Sequence, residues 1–257
     1  MSALFNLVGT NSLDGDHAML QRWYADHVHL LMRFAGLHHA QLMQRSDVVP
    51  GLAAPALAAP SPATHPATHT SAPQYLCLYE FASAQAFAEF EASPERANAP
   101  KLGRPDWMAT GIHIVLRQQY TRQVVQRNLQ APHSGTPRLL QLHSFSLPAV
   151  ASSAEQLDAE RWLQGGMHQA LLEPHAQQLS LLHRKPATPA LPTATAPAAA
   201  APTGSEYLAL LSHSAKPRQG HALDLIASAQ TDHYGLPACT AQTHWQAAYQ
   251  PLAAWRR

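Results

Sequence analysis

Trp23, His29 and Arg45 recur 139 residues later as Trp162, His168 and Arg184, with no gap between them. Farther along, Tyr75 is matched by Tyr207 at a spacing of 132, and His113 by His244 at 131. The spacing drops after two segments rich in Pro, Ala and Thr, residues 46–73 and 185–205. Each coincidence is weak alone. Their common order, with both Pro-rich segments at the same point, predicts a tandem pair of related units.

The elements read from periodicity support that pairing. In the first half, Ala3–Thr10 reads as a strand and Asp14–Phe34 as a helix, with the stripe Met19, Trp23, His27, Leu30 and Phe34 spaced by three or four. Leu37–Arg45 and Gln74–Phe81 read as strands. Ser83 caps a short helix carrying Phe87 and Phe90. Gly111–Tyr120 alternates Ile112, Ile114 and Leu116 with His113, Val115 and Arg117, the pattern of a half-buried strand.

The second half repeats the order. Leu139–Leu147 is a strand, and Ser153-Ala-Glu-Gln156 has the form of a capping box opening a helix through Leu172. Ala176–Arg184 and Glu206–His213 are strands, Gly220–Gln230 a helix and Thr243–Tyr249 a strand. The Pro-rich segments bury too little apolar surface to offset ordering, so they read as flexible loops between the second and third strands. Ala131–Pro137 reads as the linker, which sets units at 1–130 and 137–257.

A β-α-β-β-α-β chain gives one antiparallel sheet with both helices on one face. Two such units can pair their open faces. The expected fold class is therefore α+β, two ferredoxin-like units forming a pseudo-dimeric α+β barrel, as a monomer with an internal pseudo-dimer or as a homodimer.

Composition excludes several classes. A net charge of +1 leaves no basic field for nucleic acid. The longest apolar stretches fall short of the roughly 18 residues of a membrane span, and the N-terminus has no signal-peptide form. With only Cys77 and Cys239, free thiols in a reducing, cytoplasmic setting are expected. The 17 histidines are scattered. His27 and His29 lie two apart on a helix, and the adjacent His38 and His39 face opposite ways on a strand, so neither pair chelates readily. No metal motif, Gly-rich phosphate loop or Gly-x-Ser-x-Gly elbow occurs, so neither a metal nor another cofactor is expected.

Trp23-Tyr-Ala-Asp-His-Val-His-Leu-Leu31, followed by Phe34-Ala-Gly-Leu37, resembles the EthD-like families of the dimeric α+β barrel superfamily. His27 falls on the family histidine. His29 and Ala35 stand where the family carries prolines, and Tyr75-Leu-Cys-Leu-Tyr-Glu-Phe81 is similar to its third strand. The resemblance covers the first half well and the second loosely. It implies a fold rather than a reaction, because the superfamily holds cyclases, isomerases, monooxygenases and members with no known reaction.

His27 interrupts an apolar stripe. It is either an acid/base imidazole near neutral pH or a core histidine bonded to a backbone carbonyl. His113 and Arg117 share the less apolar side of their strand. They either face a cavity and bind a substrate oxygen or form a solvated face. Trp23, Tyr24 and Tyr79 are the candidate substrate-binding aromatics, with simple packing the alternative. In the second half the register sets Gly166 opposite His27, so any site is asymmetric. The expected function is a cofactor-independent lyase, isomerase or cyclase acting on a small apolar oxygenated molecule, with His27 as acid/base; the alternative is a non-catalytic ligand-binding or structural member.

Overall fold

A computed structural model describes residues 2–46, 72–102, 111–130, 137–147, 153–172, 175–184, 205–214 and 242–257. Most of both Pro-rich segments, the 131–136 linker and the helix expected at Gly220–Gln230 lie outside these residues.

The elements run β1 Leu4–Ser12, α1 His17–Leu31, β2 Leu37–Arg45, β3 Tyr75–Phe81, α2 Ala84–Glu91, α3 Pro94–Asn98, a 3₁₀ turn Ala99–Lys101 and β4 Ile112–Arg127. They continue with β5 Leu139–Leu147, α4 Ser153–Leu171, β6 Ala176–Arg184, β7 Ser205–His213 and β8 Gln242–Arg256. The class is α+β, as the element order predicts. Three strands, β2, β5 and β6, have the bounds read from sequence.

The chain divides into two compact units. Unit 1 holds residues up to Tyr120 together with Ala247–Arg257, and unit 2 holds Thr121–Gln246. The division thus falls inside β4, ahead of the expected linker. Three strands outrun their expected ends: β1 reaches Ser12, β4 reaches Arg127, and β8 reaches Arg256 despite Pro251. A proline lacks the ladder N–H and is tolerated in a strand at a bulge. Pro251 sits at such a point, where the β2–β8 register shifts between Leu42 and Met43.

Within unit 1 the strand order is β4-β1-β3-β2, and within unit 2 it is β8-β5-β7-β6. Each is a ferredoxin-like order. The C-terminal part of β8 pairs antiparallel with the free edge of β2 in unit 1, matching His39 to Arg256 and Arg45 to Tyr249.

α1 begins where Asp16 accepts from the Met19 N–H, a side-chain cap two residues beyond the expected Asp14. Its buried face is Leu20, Trp23, Tyr24, Val28 and Leu31. The expected stripe through Met19, Leu30 and Phe34 is therefore the flank of that face. It shares Trp23 with the true face and is otherwise displaced by about one position. Ser83 caps α2, and Phe87 and Phe90 close on Phe81 at ring separations of 5.1 and 5.0 Å. Alternation on β3 turns Tyr75, Cys77, Tyr79 and Phe81 toward the helices, where they join the core of unit 1. Gly36, at the turn into β2, is needed for close approach: a Cβ there would lie 2.8 Å from the Ala86 Cβ.

Candidate functional site

His27 lies on α1 at the edge of the buried face, its ring 4.4 Å from Trp23 and 6.5 Å from Tyr24. Its Nδ1 stands 3.3 Å from the Ala99 carbonyl, in the 3₁₀ turn packed against α1. A carbonyl only accepts, so Nδ1 carries the proton and donates. The neutral ring then keeps its lone pair on Nε2. Burial lowers the His27 pKa to about 4; the Ala99 carbonyl opposes the shift and Arg96 adds to it. The imidazole is therefore neutral at pH 7.

Across from this flank of α1, β3 supplies the other polar groups. Tyr79, only 4% exposed, hydrogen-bonds with Cys77. Burial pushes the Cys77 thiol up to about 12. Burial also drives the Tyr79 phenol well above its ordinary value, with further upward push from Cys77 and Tyr24 and an opposing pull from Arg96. Tyr24 donates to or accepts from Thr10 at 3.0 Å, and burial raises its pKa too. These groups are uncharged, which suits a mostly apolar layer.

The row continues toward the start of α1. The Gln21 amide donates to Gln44 Oε1, the Gln44 amide donates to the Tyr75 hydroxyl, and Tyr75 lies 2.9 Å from His17 Nδ1. With its oxygen taken by Gln44, the phenol donates to His17. A line of polar groups from His17 to His27 thus follows the seam between α1 and β3 inside unit 1.

The structure brings Trp23, Tyr24, His27 and Tyr79 into this seam and leaves the other two expected residues out of it. His113 and Arg117 are exposed on β4, and Arg117 donates to Glu91 Oε1 at 2.8 Å. Glu91 lies at the end of α2. Strand alternation separates two faces but does not name which one is enclosed. Sequence reasoning missed Arg96, which sits on α3 and contacts Glu91 through Nε at 3.5 Å. The available signal was the Ser93-Pro94 start of α3: Ser93 accepts from the Arg96 N–H, and Pro94 occupies the first turn. Among the described residues no three His, Cys, Asp or Glu side chains gather as metal ligands, and no helix is long and apolar enough to cross a membrane.

No protein-family model and no curated protein matches the chain. Solved structures do. An anthrone oxidase-like protein aligns with a TM-score of 0.54 at 10% identity, over 99% of this chain and 92% of its own. A candidate monooxygenase from Fusobacterium nucleatum aligns at 0.54 and 7% identity, over 100% and 95%. A dye-decolorizing peroxidase from Bacteroides thetaiotaomicron aligns at 0.53 and 7%, over 98% and 93%. At such identities the likeness is one of fold, and the fold is that of the dimeric α+β barrel proteins. The likeness in fold does not single out the EthD-like group.

Proposed function

We propose that unit 1 is the working half of an acid–base enzyme without a cofactor. It acts on a small, apolar, oxygenated molecule, in the manner of a lyase, isomerase or cyclase. The observation that carries this reading is the fixed tautomer of His27. With Nδ1 held by Ala99, Nε2 is the only ring position able to take a proton, and the ring packs beside Trp23 and Tyr24. In the step proposed, a substrate O–H or activated C–H bond breaks, an Nε2–H bond forms, and negative charge settles on a substrate oxygen. A ring with a pKa of about 4 is a weak base, so the step requires stabilisation of that oxygen. The name of the anthrone oxidase-like neighbour fits an apolar ring ketone or phenol as the substrate class.

The reading includes descent of both units from one duplicated, EthD-like unit. The β2–β3 pairing shifts register between Leu37 and His39, and the β6–β7 pairing shifts between Ala176 and Gln178, at the same spacing of 139. It also includes a cytoplasmic protein in which the two units stand for the two subunits of a dimeric relative. His113 and Arg117 act in this scheme only through the Arg117–Glu91 contact.

A second reading, a non-catalytic ligand-binding protein, is favoured by the filling between α1 and β3. Tyr24, Tyr79 and Phe81 are between 0% and 4% exposed there. Proton abstraction separates the two. Deuterium exchange into an enolisable cyclic ketone, 2-tetralone, is followed by NMR in heavy water. The enzyme reading expects acceleration by the protein and a loss of about 10²–10⁴-fold in a normally folded His27→Gln variant, whose amide still donates to Ala99. No acceleration with 2-tetralone or with anthrone, or full acceleration by His27→Gln, defeats it.

A further inference from the structure

We infer that each unit holds a small-molecule site in the layer between its sheet and its long helix, anchored on one buried amide: Asn6 in unit 1 and Gln141 in unit 2. The inference goes beyond the acid–base reading, because it requires binding in both units and turnover in neither.

Strand register makes the two amides equivalent. β1 and β3 pair from Leu4 with Phe81 to Thr10 with Tyr75, and β5 and β7 pair from Leu139 with His213 to Phe145 with Tyr207. Asn6 thus lies directly across from Tyr79, and Gln141 directly across from Leu211. Tyr79 and Leu211 stand 132 residues apart, the spacing of Tyr75 and Tyr207. Each amide is also the third residue of its unit's own first strand in chain order, β1 or β5.

Both amides face the helix. Residues two apart on a strand share a face. Leu4 and Tyr79 belong to the core shared with α1, and Thr10 reaches the Tyr24 hydroxyl on that helix, so Asn6 points to the same side. Phe145, Leu147 and Leu211 belong to the core shared with α4, which sets Gln141 there.

Neither amide is satisfied. Asn6 is 4% exposed and Gln141 1%, yet Asn6 Oδ1 and Gln141 Oε1 have no hydrogen-bond partner among the described residues. Buried polar groups are hydrogen-bonded as a rule, and an exception asks for a reason. Here the exception recurs at one position in both units. Around it the copies differ freely: Cys77, Tyr79 and His27 of unit 1 match Ala209, Leu211 and Gly166 of unit 2. The side-chain amide is what both carry.

The chemistry of the missing partner follows from the unmet atoms. They are acceptors, so the ligand brings a hydrogen. An anion would set lone pairs against lone pairs. A cation would lie unpaired beside Leu4 and Tyr79, or beside Phe145 and Leu211, and burying a lone charge there is costly. A neutral O–H on an apolar body fits, as in a phenol or an apolar alcohol. The amide also has N–H groups that can answer the hydroxyl oxygen.

The test titrates the full-length chain with 2-naphthol by isothermal calorimetry. Its control is 2-methoxynaphthalene, which keeps the ring and the oxygen but has no hydrogen to donate. Wild type is expected to bind two molecules of 2-naphthol per chain, at least about 10-fold more tightly than the methyl ether. Asn6→Leu and Gln141→Met remove the amide and keep the side chain's approximate shape. Each should lower the stoichiometry from two to one, and the double variant should leave none. Each should also melt no lower than wild type, because an apolar replacement of like shape leaves no unmet acceptor. Should a variant fail to fold, NMR of wild type decides: the Asn6 and Gln141 side-chain amide signals should move with 2-naphthol and hold still with the methyl ether. If 2-naphthol does not bind, water alone meets these oxygens and the inference falls. It falls equally if both variants keep both sites, if wild type has a single site, or if the methyl ether binds as tightly. Deuterium exchange into 2-tetralone is scored apart from these outcomes, so the acid–base reading can fail while this one stands.

Discussion

The two units share a strand order and a bulge, yet they differ in the polar groups at matching positions of helix and strand. At a spacing of 132, Tyr75, Cys77, Tyr79 and Phe81 of β3 meet Tyr207, Ala209, Leu211 and His213 of β7. At 139, Trp23, Tyr24, His27 and Val28 of α1 meet Trp162, Leu163, Gly166 and Met167 of α4. The tryptophan that packs each helix is retained, 8% exposed in unit 1 and 4% in unit 2. The thiol, the second phenol and the imidazole of unit 1 become Ala, Leu and Gly in unit 2. Meanwhile unit 2 has a histidine where unit 1 has a phenylalanine: Phe81 and His213 are both fully buried. Unit 1 thus carries the imidazole, the thiol and the second phenol, and unit 2 carries a buried histidine where unit 1 has a phenylalanine.

Partly buried His27 of unit 1 and fully buried His213 of unit 2 are both neutral at pH 7, and acid should expose the difference between the units. Burial lowers His27 to about 4, and burial together with the nearby His175 lowers His213 to about 4. The folded pKa lies below the unfolded value near 6.5, so the unfolded chain binds the extra proton. Stability is full above about pH 6.5 and falls as pH drops toward 4, by up to about 3 kcal/mol for each ring. The urea midpoint measured from pH 7 to 4 should fall steeply in wild type. His27→Gln and His213→Phe should each flatten part of that slope, and the double variant most of it. A slope that neither variant changes would break the comparison at its root.

The next largest effect comes from exchanging the Phe81–His213 pair. Phe81→His puts an imidazole between Phe87 and Phe90 and should cost about 3 kcal/mol, combining lost apolar burial with an unpartnered polar group. The reverse change, His213→Phe, removes two ring nitrogens that have no hydrogen-bond partner among the described residues. It should stabilise by about 1–2 kcal/mol at pH 7. Equal and opposite effects would mean that the two positions are interchangeable, which their different neighbours argue against.

Much of this arrangement was legible in the sequence, and the gaps have physical reasons. The capping residue Ser83 wrote the start of α2, whereas α1 starts after Asp16, two residues beyond the expected Asp14. The two copies of a Leu-rich alternation gave β2 and β6 to the residue. Helical spacing located Trp23 and His27 but not the true face, because Leu20, Tyr24, Val28 and Leu31 form a second, interleaved stripe with the same period. The same spacing left open whether His27 was a core histidine. Its bond to the Ala99 carbonyl is a long-range contact, 72 residues away, that no local pattern encodes. Arg96 escaped because α3 is five residues long and carries no period at all. Alternation left the face of His113 and Arg117 open, because it is symmetric between the two sides of a strand.

The smallest effect tests the helix pair directly. Gly165 and Gly166 of α4 lie opposite Asp26 and His27 of α1 in the shared register. A glycine inside a helix costs about 1 kcal/mol relative to alanine, because the unfolded backbone loses more freedom on folding. At Gly165 a Cβ would meet nothing within 4 Å, and no positive φ marks the position. Its counterpart Asp26 is exposed and carries a side chain at no cost to packing. Gly165→Ala should therefore stabilise by about 1 kcal/mol, a rise of roughly 2–4 °C in Tm for a chain of this size. Differential scanning calorimetry of the single variant, beside Asp26→Ala in unit 1, separates the two copies. Asp26→Ala replaces one helix-compatible residue by another and should change Tm by less. If Gly165→Ala lowers Tm instead, the open space beside α4 is filled in solution, and the two helices are not equivalent at this matched position.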